Sequence, residues 1–292
     1  MSGIINRQEL ERIEGTVAYE TPMYSDNPDR PVIMPPQVER KGIWTKDGDH
    51  PAEFLSAQSL GYCTVQNSTV VQAMDDIAYD KGISLEVNHA SYYKGKTMVN
   101  FFLPGEDFKV PGDSSVIKPG ILWTTDFGGG GANEWEPSSF RGACSNGQVF
   151  KTNLAKSVKR KHYGQITERD IYIMVAKAFD LLDTAVQVIK LTSSMAAMTE
   201  VSDDQIEAYL KRLEKKTAKK YHERMAAVVQ DNVNQLGQNA WAVTQGISEM
   251  YTHHMKTPSH GGTKLAWRDK AIDDLLASVG VKELVHATIT GR

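Results

Sequence analysis

The hydrophobic period changes along this chain, and that change does most to limit its fold. Between residues 83 and 144 short segments alternate apolar with polar, whereas beyond residue 147 apolar residues recur every three or four positions. Ile83, Leu85 and Val87 alternate with Ser84, Glu86 and Asn88. Tyr92-Tyr93-Lys94-Gly95-Lys96 predicts a hairpin tip, followed by a return strand over 97–103 that Pro104-Gly105 ends. Segments 120–125 and 138–144 predict a third and a fourth strand of an antiparallel sheet. Ahead of them, Asn67 or Ser68 can cap a helix over 69–81, with Val70, Val71, Met74, Ile77 and Ala78 on one face and Gly82 as its stop.

The second half predicts helices over 147–161, 168–198, 221–236, 239–254 and 264–279, the last stopped by Gly280. Thr167 is the expected cap of the long one, and Ser202 begins a further helix carrying Ile206, Tyr209, Leu210 and Leu213. Strands and helices are therefore segregated. The expected class is α+β, with a three- or four-stranded antiparallel sheet, a basic helix and a helical C-terminal half; alternating βαβ folds are disfavoured. Residues 1–50 read as an extended arm, because five of the eleven prolines (Pro22, Pro28, Pro31, Pro35 and Pro36) lie there among frequent apolar residues. The expected division is an arm over 1–50, an α+β core over 51–165 and a helical domain over 166–292.

Composition excludes several classes. With 292 residues, 40% hydrophobic and 24% charged, the chain is neither disordered nor fibrous. Two cysteines, Cys63 and Cys144, exclude a disulfide-stapled scaffold and a four-thiolate metal site. No apolar run reaches the roughly 20 residues of a membrane span, and the first twelve residues lack a secretion-signal core, so a cytoplasmic protein is expected. A formal charge of −3 means that any nucleic-acid site must be a local patch.

Three motifs read best as structure. Gly128 to Gly131 lack the Gly-Lys-Ser/Thr of a phosphate-binding loop and read as a hairpin loop. His253, His254 and His260 lack the spacing of a metal site, and neither metal nor cofactor is expected. Cys144 and Ser145 lie where an exposed nucleophile could lie, but Gly-x-Ser-x-Gly spacing is absent, and the simpler reading is a small buried thiol with Asn146 capping the next helix.

The basic residues point further. Lys151, Lys156, Lys159, Arg160 and Lys161 fall within eleven positions without an acid, and Arg141 lies just upstream. On a helix, Lys156, Lys159 and Arg160 would share one face that could neutralise phosphates. At the hairpin tip Tyr92, Tyr93, Lys94 and Lys96 interleave rings with cations, a pattern suited to stacking unpaired bases. A second cationic stretch, 211–224, reads equally well as an exposed helix face.

The early helix with Val70-Val71 and Met74, the strand end Phe101-Phe102-Leu103-Pro104, Arg141 with Cys144-Ser145-Asn146, the Lys159-Arg160-Lys161-His162 run, and Asn239 to Thr244 leading to His253-His254 together resemble a family. It is the phage/plasmid-like protein family of unknown function, and the resemblance covers half to two thirds of the chain. The order of helix, hairpin, strands and basic helix also resembles the core of Rad-fifty-two-type single-strand annealing proteins.

That second likeness implies an ATP-independent, non-enzymatic protein that binds and anneals single-stranded DNA in recombination or replication of a phage or mobile element. It implies a homo-oligomer, of the ring kind that such proteins commonly form, with DNA held by Lys156, Lys159, Arg160 and Lys161. Arg141, Lys151 and the four hairpin-tip residues extend the expected DNA surface. One alternative is an oligomeric phage structural or host-interaction protein without DNA affinity. Another is an enzyme built on Cys144 and His162.

Overall fold

The computed structural model describes residues 3–5, 7–22, 40–47, 51–141, 146–149, 157–255 and 261–291. In chain order the elements are β1 (Gly3–Ile5), α1 (Glu11–Gly15), β2 (Thr16–Pro22), β3 (Arg40–Asp47), β4 (Glu53–Ser59), α2 (Asn67–Asp80), β5 (Ser84–Tyr93), β6 (Lys96–Phe102), β7 (Phe108–Lys109), β8 (Val116–Asp126) and β9 (Asn133–Arg141). Then come β10 (Asn146–Val149), β11 (Val158–Arg160), α3 (Glu168–Asp180), α4 (Leu182–Met198), α5 (Asp203–Glu214), α6 (His222–Leu236), α7 (Ala240–Glu249), α8 (Gly261–Ser278) and α9 (Val281–Thr290). The class is α+β, as expected. The chain divides into two compact units, the first from 1–104, 120–136 and 157–182, the second from 105–119, 137–156 and 183–292. This differs from the expected division into three consecutive segments.

The first unit is built on the predicted hairpin. β5 and β6 pair antiparallel and β6 pairs with β8, so that Thr97 faces Thr125 and Lys96 faces Asp126. The turn consists of Lys94 and Gly95 alone, both at positive φ (47° and 81°), as a type I′ turn requires. Leu85, Val87, Val99, Phe101, Ile121 and Trp123 are buried on this sheet. α2 contributes Val70, Val71, Ala73, Met74 and Ala78, each wholly buried. Side chains of this kind supply roughly 1.5–3 kcal/mol apiece when fully buried, less for alanine. Asn67 does not cap α2. The cap is Gln66, without a side-chain bond, while the buried Asn67 amide donates to Ile13 O and Thr97 Oγ1.

The described residues among the first fifty are more regular than the prolines suggested. β1 joins the main sheet parallel to β5, and β2, β3 and β4 form a separate antiparallel sheet. Prolines 28, 31, 35 and 36 lie outside the described residues. The main sheet is also wider than expected, because β1 adds at one edge and β11 pairs with β9, the expected fourth strand, at the other.

The largest correction concerns the basic segment. No helix spans 147–161 among the described residues. Asn146–Val149 is a strand paired with β9, so Asn146 opens a strand where a helix was expected; Val158–Arg160 is another strand on β9, and 150–156 fall outside the described residues. Free backbone groups along β9 take these segments as strands, and sheet pairing overrides a helix-like spacing of lysines.

In the second unit the helices follow their local signals. Thr167, in the first unit, caps α3 with a capping box to Asp170, and Ser202 caps α5 with one to Gln205. Asn239 caps α7 through Ala242 N. The helix expected over 168–198 is two, α3 ending at Asp180 and α4 starting at Leu182, with Leu181 as the cap of α3. The helix expected over 239–254 ends in a π turn, Met250–His254. α8 starts at Gly261, and beyond the left-handed Gly280 the chain continues as α9, held by Val281 and Val285. α6 and α7 pack so closely that a Cβ on Gly246 would lie 2.6 Å from Val229 Cα. No helix among the described residues is long and apolar enough to cross a membrane.

Candidate nucleic-acid interface

One end of the first unit's sheet gathers the features that the sequence singled out separately. β5 and β6 turn there at Lys94-Gly95. β8 ends there at Asp126, opposite Lys96. β9 starts beyond the four glycines, and β11 places Arg160 opposite Asn133, the first residue of β9. The basic run thus leaves the sheet at the hairpin-tip end.

Buried contacts fix that end. His162 is 3% exposed; its Nε2 lies 3.0 Å from Thr125 Oγ1 and its Nδ1 3.1 Å from Cys63 O. A carbonyl can only accept, so Nδ1 carries the proton and Nε2 accepts from the threonine hydroxyl. The ring stacks on Tyr62 at 5.5 Å between centroids. Tyr62 in turn donates its hydroxyl to Asp126 O and Phe127 O (3.2 and 2.9 Å). Burial pushes the Tyr62 phenol up, helped by the Asp126 charge, so it stays a donor.

The glycine run wraps Asp126. Its Oδ1 accepts from Gly128 N at 2.8 Å, and Gln58 Nε2 donates to Gly128 O at 2.8 Å. A Cβ on Gly130 would lie 2.7 Å from Asp126 Oδ2. The run is a close turn around an acid, consistent with its reading as a loop rather than a phosphate cradle.

The ten expected DNA residues part into distinct groups. Tyr93 is 58% exposed, with Lys94 Nζ 5.5 Å from its ring centroid. Arg160 and Lys161 are exposed. These four face solvent at the same end of the sheet. Tyr92 and Lys96 serve the tip itself: the Tyr92 hydroxyl accepts from Gly95 N, and Lys96 Nζ lies 3.7 Å from Asp126 Oδ2. Lys159 is half exposed but pairs with Glu134 at 2.8 Å. The acid that the linear segment lacks therefore comes from the neighbouring strand. Lys151 and Lys156 lie outside the described residues, as does Cys144.

Arg141 is corrected outright as a surface contact. It belongs to the second unit and is 7% exposed. Its Nε and Nη2 donate to Asp113 at 2.6 and 3.0 Å, and Trp241 Nε1 donates to the same carboxylate at 2.9 Å. Burial alone would raise the Asp113 pKa, but the bonds from Arg141, Trp241 and Ser115 N outweigh it and hold the carboxyl below its ordinary value. Two of the residue groups that carried the family resemblance, Arg141 and the Ala240-Trp241 segment, thus converge on one buried ion pair.

The other chemical candidates are equally engaged. Both ring nitrogens of His162 have partners, which leaves neither free as a base. His254 Nε2 lies 3.4 Å from Glu249 Oε1, and no group of three or more metal-ligating side chains occurs among the described residues. On α5, Lys211 pairs with Glu207, and just beyond the helix Lys216 lies 3.8 Å from Asp274. One exposed residue that the sequence reading left out lies at this end: Tyr163, 65% exposed, directly after the buried His162. Only its place behind the basic run could have signalled it.

A family model described as a domain of unknown function (DUF932) matches residues 54–273, which is 220 of 292 residues. The chain belongs to that family. No curated protein and no solved structure matches it.

The buried imidazole gives a pH prediction. Burial is the main cause that lowers the His162 pKa, against a smaller upward pull from the Cys63 carbonyl and Asp126. The unfolded chain therefore takes up the proton first, near 6.5. Stability from His162 is fully present above that pH and is lost as the pH falls towards the lowered folded value. Urea unfolding at pH 7.5 and 5.5 is expected to show a smaller acid loss in His162→Gln than in the wild type. Equal losses in both proteins would contradict this.

Proposed function

We propose that this protein binds single-stranded DNA at the hairpin-tip end of its first unit and promotes strand annealing without a nucleotide cofactor. The observation that carries the reading is the convergence at that end. His162 and Tyr62 tie the basic run to the strand ends beside the hairpin, so Tyr93, Lys94, Arg160 and Lys161 share one exposed region. Cations beside exposed rings suit a strand whose phosphates need neutralising and whose bases are unpaired.

The hairpin tip supports the reading independently. Lys94 is the sole non-glycine residue with positive φ among those described. A lysine there occupies a conformation that glycine or asparagine adopts more cheaply, which suits a position kept for its side chain. The order α2, hairpin, β8, β9, β11 and α3 parallels the helix, hairpin, strands and helix of the single-strand annealing proteins, although the basic segment is a strand here.

Anisotropy of a labelled poly-dT oligonucleotide tests the binding, and pairing of complementary mixed-sequence strands in the same buffers tests annealing. Salt-sensitive binding with faster pairing is expected. Binding without acceleration would reduce the assignment to a single-strand binding protein.

A further inference from the structure

Tyr163 holds an exposed ring in a fixed place. The chain at 61–63 runs beside the chain at 162–164: Gly164 N donates to Gly61 O at 2.8 Å, Cys63 N donates to His162 O at 3.2 Å, and Tyr62 bridges antiparallel to Tyr163. Tyr163 N also donates to Lys161 O at 2.8 Å. The ring lies against the backbone of Gly61. A Cβ there would meet Tyr163 Cε2 at 2.9 Å, Cζ at 3.0 Å and the hydroxyl oxygen at 3.2 Å. Any residue but glycine at 61 would displace the ring. Yet 65% of Tyr163 remains exposed, and no other ring stacks on it among the described residues.

A large aromatic side chain ordinarily gains by burial. Here a backbone clamp and a glycine seat hold one in solvent, next to the exposed Arg160 and Lys161. We infer that Tyr163, seated on Gly61, is a stacking platform for one nucleobase of the bound strand. The inference rests on the proposed single-strand binding and adds the residue that takes the base. A ring supported from behind loses little freedom on stacking, and stacking tolerates any base because every base offers a π face. The flanking cations then hold the phosphates on either side.

The experiment uses the full chain and a poly-dT oligonucleotide carrying a single 2-aminopurine. Wild-type protein is expected to change the probe's fluorescence on binding. Tyr163→Ala is expected to weaken binding about ten-fold, with an unchanged salt slope and a lost fluorescence response, because a ring and no charge has been removed. Tyr163→Phe should behave as wild type, which separates stacking from a role of the hydroxyl. Gly61→Ala should resemble Tyr163→Ala. Melting curves accompany each variant, and an exposed ring should be removable without unfolding the chain. Steep, salt-dependent binding by the wild type with Tyr163→Ala indistinguishable from it overturns the platform and leaves the binding site standing. No binding by the wild type at low salt overturns both.

Discussion

Replacing Arg141 by alanine is expected to lower the free energy of unfolding by about 3–5 kcal/mol, because it strands a buried carboxylate. Asp113 is wholly buried at its side chain, and Arg141 supplies two of its hydrogen bonds. Trp241 Nε1 and Ser115 N would remain, but neither carries a compensating charge. Urea unfolding at pH 7 measures the loss. In an Asp113→Ala background the same substitution should cost much less, since the stranded charge is gone, and that coupling identifies the mechanism. The sign with pH follows from the lowered Asp113 pKa. The wild-type advantage is present above the ordinary carboxyl range and is lost as the pH falls through the folded value. A loss under about 1 kcal/mol, the range of exposed pairs, would contradict the account of Arg141.

The second large effect concerns binding. Reversing Lys94, Arg160 and Lys161 to glutamate is expected to weaken poly-dT binding on the order of 100-fold at low salt. It should also flatten the slope of log K against log salt by roughly 2, at about 0.7 per phosphate contact on a single strand. All three side chains are exposed or lie at the turn, so the fold should persist. Lys159 is left in place because it holds Glu134. A triple of equal charge change at the C-terminal end of α5, Lys211, Arg212 and the cap residue Lys215, is the control. It lies in the second unit and should leave most of the affinity. Equal losses from both triples would mean that net charge, and not this end of the sheet, governs binding.

Much of the fold was legible because its signals are local. The β5–β6 hairpin follows from strict alternation with Lys94-Gly95 at the tip, and Thr167 and Ser202 announce the helices that they cap. What the sequence hid depends on distant partners. Lys156, Lys159 and Arg160 fit a helical face, yet Val158–Arg160 pairs with a strand more than twenty residues earlier. A local period cannot report an open sheet edge. β1 needs β5, far along the chain, before it is a strand at all.

The candidate site was legible only in part for the same reason. Side-chain chemistry singled out Tyr93, Lys94, Arg160 and Lys161, which do share one end of the sheet. It also singled out Arg141, whose fate was decided by Asp113, 28 residues away. Tyr163 was left out of the site because an aromatic residue in a sequence is ordinarily core. Its exposed placement depends on the missing side chain at Gly61 and on the burial of its neighbour His162.

The measurement that tests the central claim most directly is the anisotropy of labelled poly-dT titrated with the wild-type chain at about 50 and 200 mM salt. Binding that is tight at the lower salt and falls steeply at the higher, as release of counterions from several phosphates requires, is the predicted result. Absence of binding at the lower salt would contradict it. It would make Arg160 and Lys161 a solvated edge of the sheet, and leave the oligomeric interaction protein as the reading to pursue.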